Sequence, residues 1–134
     1  MDEFKERIWL ALKALSIAIT QKGAILYLMI LKQNMLPKEL LVGKTGYVIL
    51  GIVNHEHQFV TYTAKVLIEE KENNSLGPII LEHQEKWEEK IGFTPTQAGK
   101  NIKVQFLLYR DNQSESYRNL HLWLEVIETE ILEL

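Results

Sequence analysis

The chain has 134 residues, 46% hydrophobic and 25% charged, with 15 Lys and Arg against 18 Asp and Glu for a net charge of -3. That length gives room for one domain with one core, and the composition excludes an intrinsically disordered chain or a polytopic membrane protein. The acidic balance lacks the basic footprint that displaces counterions from nucleic acid, and the absence of cysteine removes disulfides, thiolate nucleophiles and thiolate metal sites.

Residues 1–22 read as an apolar, amphipathic N-terminal helix preceding a β-sandwich domain over residues 23–134. Met1 to Arg7 carries more acid than base and no small-residue cleavage site follows, which argues against a secretory signal. Lys13 interrupts the apolar run Ile8 to Thr20 and Gln21-Lys22-Gly23 ends it, which argues against a membrane span of roughly 20 residues. On a helical wheel Glu6, Lys13, Ser16 and Thr20 fall on one narrow stripe, opposite a wide face holding Phe4, Ile8, Leu12, Leu15 and Ile19. That apolar face requires a cover.

From Ala24 the periodicity shifts towards two, and seven strands are expected. Ala24 to Lys32 is almost wholly apolar, so both its faces should be buried, one of them by the N-terminal helix. A loop from Pro37 to Thr45 leads into a strand from Gly46 to Asn54. Val60 to Glu69 follows, with Val60, Tyr62, Ala64, Val66 and Ile68 on the core side. The polar stretch Glu70 to Gly77 reads as a loop, then Pro78 to His83 as a short strand. Lys86 to Phe93 places Trp87, Ile91 and Phe93 together. Thr94 to Lys100 is a turn, Ile102 to Leu108 a strand, Asp111 to Asn119 a polar loop, and Leu120 to Glu128 the last strand, with Leu120, Leu122, Leu124 and Val126 facing in. Seven strands at intervals of about 8 to 12 residues, with no helix-length segment after Thr20, match a mainly β, immunoglobulin-like antiparallel sandwich. A small barrel is the alternative.

Three stretches resemble one family. They are Leu41-Val42-Gly43-Lys44-Thr45-Gly46-Tyr47-Val48-Ile49-Leu50-Gly51-Ile52-Val53-Asn54-His55-Glu56, then Val104 to Arg110, then Tyr117-Arg118-Asn119-Leu120-His121-Leu122-Trp123-Leu124-Glu125-Val126. In order and spacing they resemble the C-terminal soluble domain of the archaeal predicted-membrane-protein family known as domain of unknown function 1616. The resemblance covers Ala24 to about Ile127. It implies an immunoglobulin-like domain held outside a membrane by preceding spans, and hence a membrane-associated or extracytoplasmic location. It implies no activity. This chain departs from the pattern in carrying one interrupted apolar segment where the family carries several spans.

The polar residues offer few sites. His55 and His57, at i and i+2 in an extended segment, would project to the same side and suit zinc, but a third ligand would have to come from His83 or His121 on other strands. The simpler reading of Asn54 to His57 is a strand-ending turn in which Asn54 and Glu56 bond nearby backbone amides. No metal and no cofactor are therefore expected. Gly43-Lys44-Thr45 has the ending of a phosphate loop, yet Lys38 stands where its first glycine belongs and a strand follows instead of a helix. No Gly-x-Ser-x-Gly elbow occurs, and Glu88, Glu89, Glu125 and Glu128 read as solvated or edge charges. No catalytic residue is assigned, so the chain is expected not to be an enzyme. Among the aromatics, Trp87 and Phe93 share a face with Ile91 and belong to the core. Trp123 lies out of phase with Leu122 and Leu124 and is the best exposed contact, with Tyr109, Tyr117, His55 and Glu56 as further contact candidates. Asn73-Asn74-Ser75 and Asn112-Gln113-Ser114 are acceptor sequons in expected loops.

These features point first to a non-enzymatic interaction or structural domain at a cell surface or membrane. A carbohydrate- or peptide-binding module using Trp123 and neighbouring tyrosines is the second reading, and a metal-dependent enzyme built on His55 and His57 the third. The partners this pattern admits are another protein, a second copy of the chain through the N-terminal helix to give a homo-oligomer, or a membrane surface.

Overall fold

In a computed structural model, residues 23–29 and 39–128 are described; the expected helix over residues 1–22 lies outside them. Eight strands occur among the described residues: β1 (Gly23–Met29), β2 (Glu39–Leu41), β3 (Gly46–His55), β4 (Val60–Ile68), β5 (Lys71–Leu81), β6 (Lys86–Phe93), β7 (Gly99–Arg110) and β8 (Arg118–Ile127). They form a three-stranded sheet in the order β1-β3-β6 and a five-stranded sheet in the order β2-β8-β7-β4-β5. All neighbours are antiparallel except the short β2, which runs parallel to β8.

The inward faces follow directly from the alternation in the sequence. Ala24, Leu26 and Leu28 stand opposite Asn54, Ile52 and Leu50 in the β1–β3 register, and Val48 stands opposite Ile91 across to β6. From the other sheet Tyr62, Ala64 and Val66 of β4, Val104, Phe106 and Leu108 of β7, and Leu120 to Val126 in every second position of β8 fill the same space. The rings of Phe93 and Phe106 meet edge to face at 6.0 Å across the two layers, a favoured aromatic geometry. Burying each such side chain is worth roughly 1.5–3 kcal/mol, so phase along the strands decides the fold.

Two elements depart from expectation. The three residues of β2 sit inside the stretch Pro37 to Thr45, expected as a loop; three residues are too short for any period to show. The larger correction is β5, which begins at Lys71 and not at Pro78, so most of Glu70 to Gly77 is strand. It pairs with β4 from Ile68↔Lys71 to Val60↔Leu81 across two register shifts. β5 is the sheet's edge, and the part-buried inner position Asn74 in its first half is polar, bonded to the other sheet, so that half carries little hydrophobic signal. The β4–β5 hairpin turns on Glu69 and Glu70 with φ of 50° and 68°, positive at both central positions as a type I′ turn requires. Glycine or asparagine ordinarily supplies this conformation. Here Glu69 is held on β7, its N–H donating to Lys103 O at 3.0 Å and its carboxylate accepting from Lys103 N–H at 2.9 Å.

The outer face of the three-stranded sheet carries a tyrosine over each of two glycines. Tyr27 pairs with Gly51, its ring occupying the space a Cβ on Gly51 would need, and its hydroxyl donates to the Glu88 carboxylate on β6. Tyr47 pairs with Gly92 and likewise covers it, with Lys90 Nζ 4.6 Å from the Tyr47 ring centroid. Glycine in a strand leaves the backbone bare, and an aromatic ring laid across it restores the lost packing.

Candidate functional site

The corner where β3 passes into β4 gathers most of the buried polar chemistry. Asn54, fully buried, donates from Nδ2 to Leu81 O at 2.8 Å and to Gln58 O at 2.9 Å, while its Oδ1 accepts from Glu56 N–H at 2.6 Å. Its backbone N–H donates to Glu85 O at 3.1 Å and its carbonyl accepts from Gln84 N–H at 2.5 Å. The expectation that Asn54 closes a turn through backbone amides therefore holds. Glu56 behaves differently. Its side chain, 5% exposed, lies 3.3 Å from Arg110 Nη1 and accepts from Tyr62 Oη at 2.8 Å and from Tyr117 Oη at 3.2 Å. Glu56 thus turns to side chains of the five-stranded sheet instead of to local amides. Burial, then the bond to Glu56, pushes the Tyr62 hydroxyl well above its usual range. Tyr117 is raised by burial and then by the Glu56 charge, opposed by the Arg118 charge, whose guanidinium carbon lies 4.2 Å from its ring centroid. The role of Tyr62 is hidden in the sequence because its position in β4 reads only as core.

Three imidazoles meet at the same corner. His57 and His83 stack at 4.1 Å, and His55 approaches His83 at 6.3 Å. His57 breaks the extended geometry on which the same-side reading of His55 and His57 rests, because its φ is 63°, in the left-handed region. His57 N–H donates to His83 Nδ1 at 3.0 Å, so the His83 ring keeps that nitrogen unprotonated. Partial burial, then His57, then His55, lowers the His83 pKa. His121 stands apart, beside Trp123 on β8. Among the described residues no group of three or more His, Cys, Asp or Glu is arranged to hold a metal ion.

The outer face of the five-stranded sheet presents Trp123, 53% exposed. His121 meets its ring edge-on at 5.5 Å, and Lys103, its partner in register on β7, places Nζ 5.8 Å from the ring centroid. Tyr109 lies on the same face with Lys65 Nζ 5.2 Å from its ring centroid. Six residues of β7 separate Tyr109 from Lys103, about 20 Å of strand, so Trp123 and Tyr109 do not line one small-ligand site. Tyr117 belongs to the Glu56 corner. The expected contact residues therefore divide in two, with Trp123 and Tyr109 on the open sheet face and His55, Glu56 and Tyr117 at the corner.

The first sequon is in a strand and not in a loop. Asn73 of β5 donates to Thr94 O and accepts from Thr94 N–H, both at 2.9 Å, and Asn74 donates to Gly92 O at 2.9 Å. These amides tie the edge of one sheet to the end of β6 in the other. Asn112 is exposed in the β7–β8 turn, where a loop was expected.

The chain matches the model of a family described as Domain of unknown function (DUF1616) over residues 29–125. No curated protein matches it in sequence. Its fold is similar to that of the CARDB domain of the PF1109 protein from Pyrococcus furiosus. The crystal structure of that domain, in complex with di-metal ions, is 17% identical with a TM-score of 0.57, covering 81% of this chain and 98% of that chain. Its solution NMR structure is 16% identical with a TM-score of 0.57, covering 80% and 98%. A beta-glucosidase from Listeria innocua in complex with glucose is 16% identical with a TM-score of 0.50, covering 78% of this chain and 16% of that chain. The likeness is one of fold, an immunoglobulin-like sandwich. Among the described residues no helix is long and apolar enough to cross a membrane.

Asn54→Ala strands a buried carbonyl and an amide at the corner, and should cost about 2–4 kcal/mol in urea unfolding. For His83 the sign follows from its lowered pKa: the folded chain binds fewer protons than the unfolded one below about pH 6.5, so stability is full above that value and is lost as pH falls from it towards the lower pKa of the folded state. The urea midpoint should drop between about pH 7.5 and 5.5, and His83→Asn, which keeps an acceptor for His57 N–H, should flatten that drop; an unchanged slope would remove His83 from the account.

Proposed function

Because the chain belongs to the DUF1616 family, we propose that it is a non-enzymatic interaction domain, engaging its partner through the outer face of the five-stranded sheet around Trp123. The observation that carries this reading is the half-exposed indole of Trp123, flanked by His121 and Lys103. A large aromatic side chain left open to water on a rigid strand supplies contact area at little cost in ordering entropy. The polar groups of the β3–β4 corner support the non-enzymatic part of the reading, since Asn54, Glu56, Tyr62 and Arg110 are engaged with one another and hold the two sheets together.

A carbohydrate or a peptide fits the same face, because an indole with a cationic neighbour stacks on a sugar ring and also accepts an apolar side chain. The roughly 20 Å between Trp123 and Tyr109 suits an extended ligand lying along β7 better than a single ring. We place the domain in a membrane-associated or extracytoplasmic setting, supported by the family resemblance.

Screening the purified chain on glycan and peptide arrays tests the reading. A ligand whose binding falls at least ~tenfold in Trp123→Ala, with the unfolding midpoint unchanged because the indole lies outside the core, is the expected result. Binding that survives the substitution would take the face out of consideration. Fractionation of native cells checks the setting, with recovery beside membranes or in the extracytoplasmic fraction expected and recovery with cytoplasmic proteins alone counting against it.

A further inference from the structure

We propose that the outer face of the three-stranded sheet is the docking surface for residues 4–20 of the same chain, laid across β1 and β3 as one amphipathic helix. β1 is an edge strand, and an edge strand ordinarily turns its outward side chains to water. Tyr27 and Met29 point outward from β1, yet are only 3% and 6% exposed. With the part-buried Ile25, Ile49 and Val53 they form an apolar lane two strands wide. Burial is also the main reason that the Tyr27 hydroxyl is held above its usual range.

The shape and border of the lane select its occupant. Two strands stand about 5 Å apart, which with their side chains matches the ~10 Å width of a single helix. On its β6 side the lane ends at Lys86, Glu88 and Lys90, all exposed. A second copy packed sheet on sheet, or a flat lipid surface, would have to cover those charges and desolvate them. A single helix leaves them in water.

The chain delivers such a segment to this place. Residues 1–22 end at Gly23, the first residue of β1, whose φ of +85° is the left-handed conformation that terminates helices. Gln21 and Lys22 directly precede it, and a lysine in the last turn suits a helix C-terminus. Gly23 pairs with His55, so a helix that reverses there runs back over Ile25, Tyr27 and Met29. Seventeen residues of helix span about 25 Å, against about 23 Å for the seven residues of β1. Phe4, Ile8, Leu12, Leu15 and Ile19 would meet the lane, with Glu6, Lys13, Ser16 and Thr20 in water.

The absence of cysteine makes the test clean. In the full chain, Ile19→Cys with Val53→Cys, and Ile8→Cys with Ile49→Cys, should each form a disulfide within one molecule under mild oxidation. The control pair Ile8→Cys with Thr63→Cys, on the outer face of the other sheet, should stay reduced. Disulfide-linked dimers, equal reaction in the control, or no bond in either pair would overturn the proposal. Should a double variant not fold, Ile49→Cys alone decides: labelling by a maleimide at least ~tenfold slower than in urea supports it, and an equal rate overturns it. Failure here leaves the reading of Trp123 untouched, because that residue lies on the opposite sheet.

Discussion

The joint between the two sheets turns on the side chain of Asn54. It leaves the end of β3 in one sheet and bonds Leu81 O at the end of β5 in the other, while fixing the turn that carries the chain across to β4. A buried amide of this kind is tolerated only when its donors and acceptor are all used. The structure uses them all and adds both backbone groups of the same residue. Next to it Glu56 repeats the logic with charge, gathering Tyr62, Arg110 and Tyr117 from the five-stranded sheet. The apolar core brings two sheets together without direction; this corner determines how they are joined.

The open sides of the sandwich are closed by polar means. Asn73 and Asn74 use side-chain amides as a strand would use its backbone, reaching Thr94 and Gly92 across the gap between sheets. The outward positions of β6 are charged, and Glu89 keeps a charge at its inner edge, a device that discourages pairing with other strands. Arg118, which donates to Ala24 O at 3.0 Å, ties the start of β8 to β1. With edges managed in this way, the two outer faces differ in character. One is polar and set with Trp123 and Tyr109 among lysines, and the other is an apolar lane bordered by charge.

Much of the fold is legible in the amino-acid sequence. Wherever a strand lies between core and water, every second residue is apolar, so the alternation places β4, β7 and β8 with the correct face inward, and the outward phase of Trp123 can be read from Leu122 and Leu124. The same logic fails for the first half of β5, where an inner position is filled by the polar Asn74 bonded across to the other sheet, and for β2, which is too short. It also gives an incorrect direction to His57, whose left-handed backbone is set by the turn that Asn54 closes.

The amino-acid sequence alone carries the class of fold, the strands that alternate between core and water, and the family, because hydrophobic period and local turn chemistry act between near neighbours. Three-dimensional assembly sets the rest: Glu56 serves Tyr62, Arg110 and Tyr117, His83 and not His121 joins His55 and His57, and Trp123 and Tyr109 stand far apart on one face. Those pairings join residues up to 61 positions apart, and they arise from register and sheet order. A spacing pattern cannot carry that information, since shifting one strand past another by two residues leaves every inward residue inward and changes every partner.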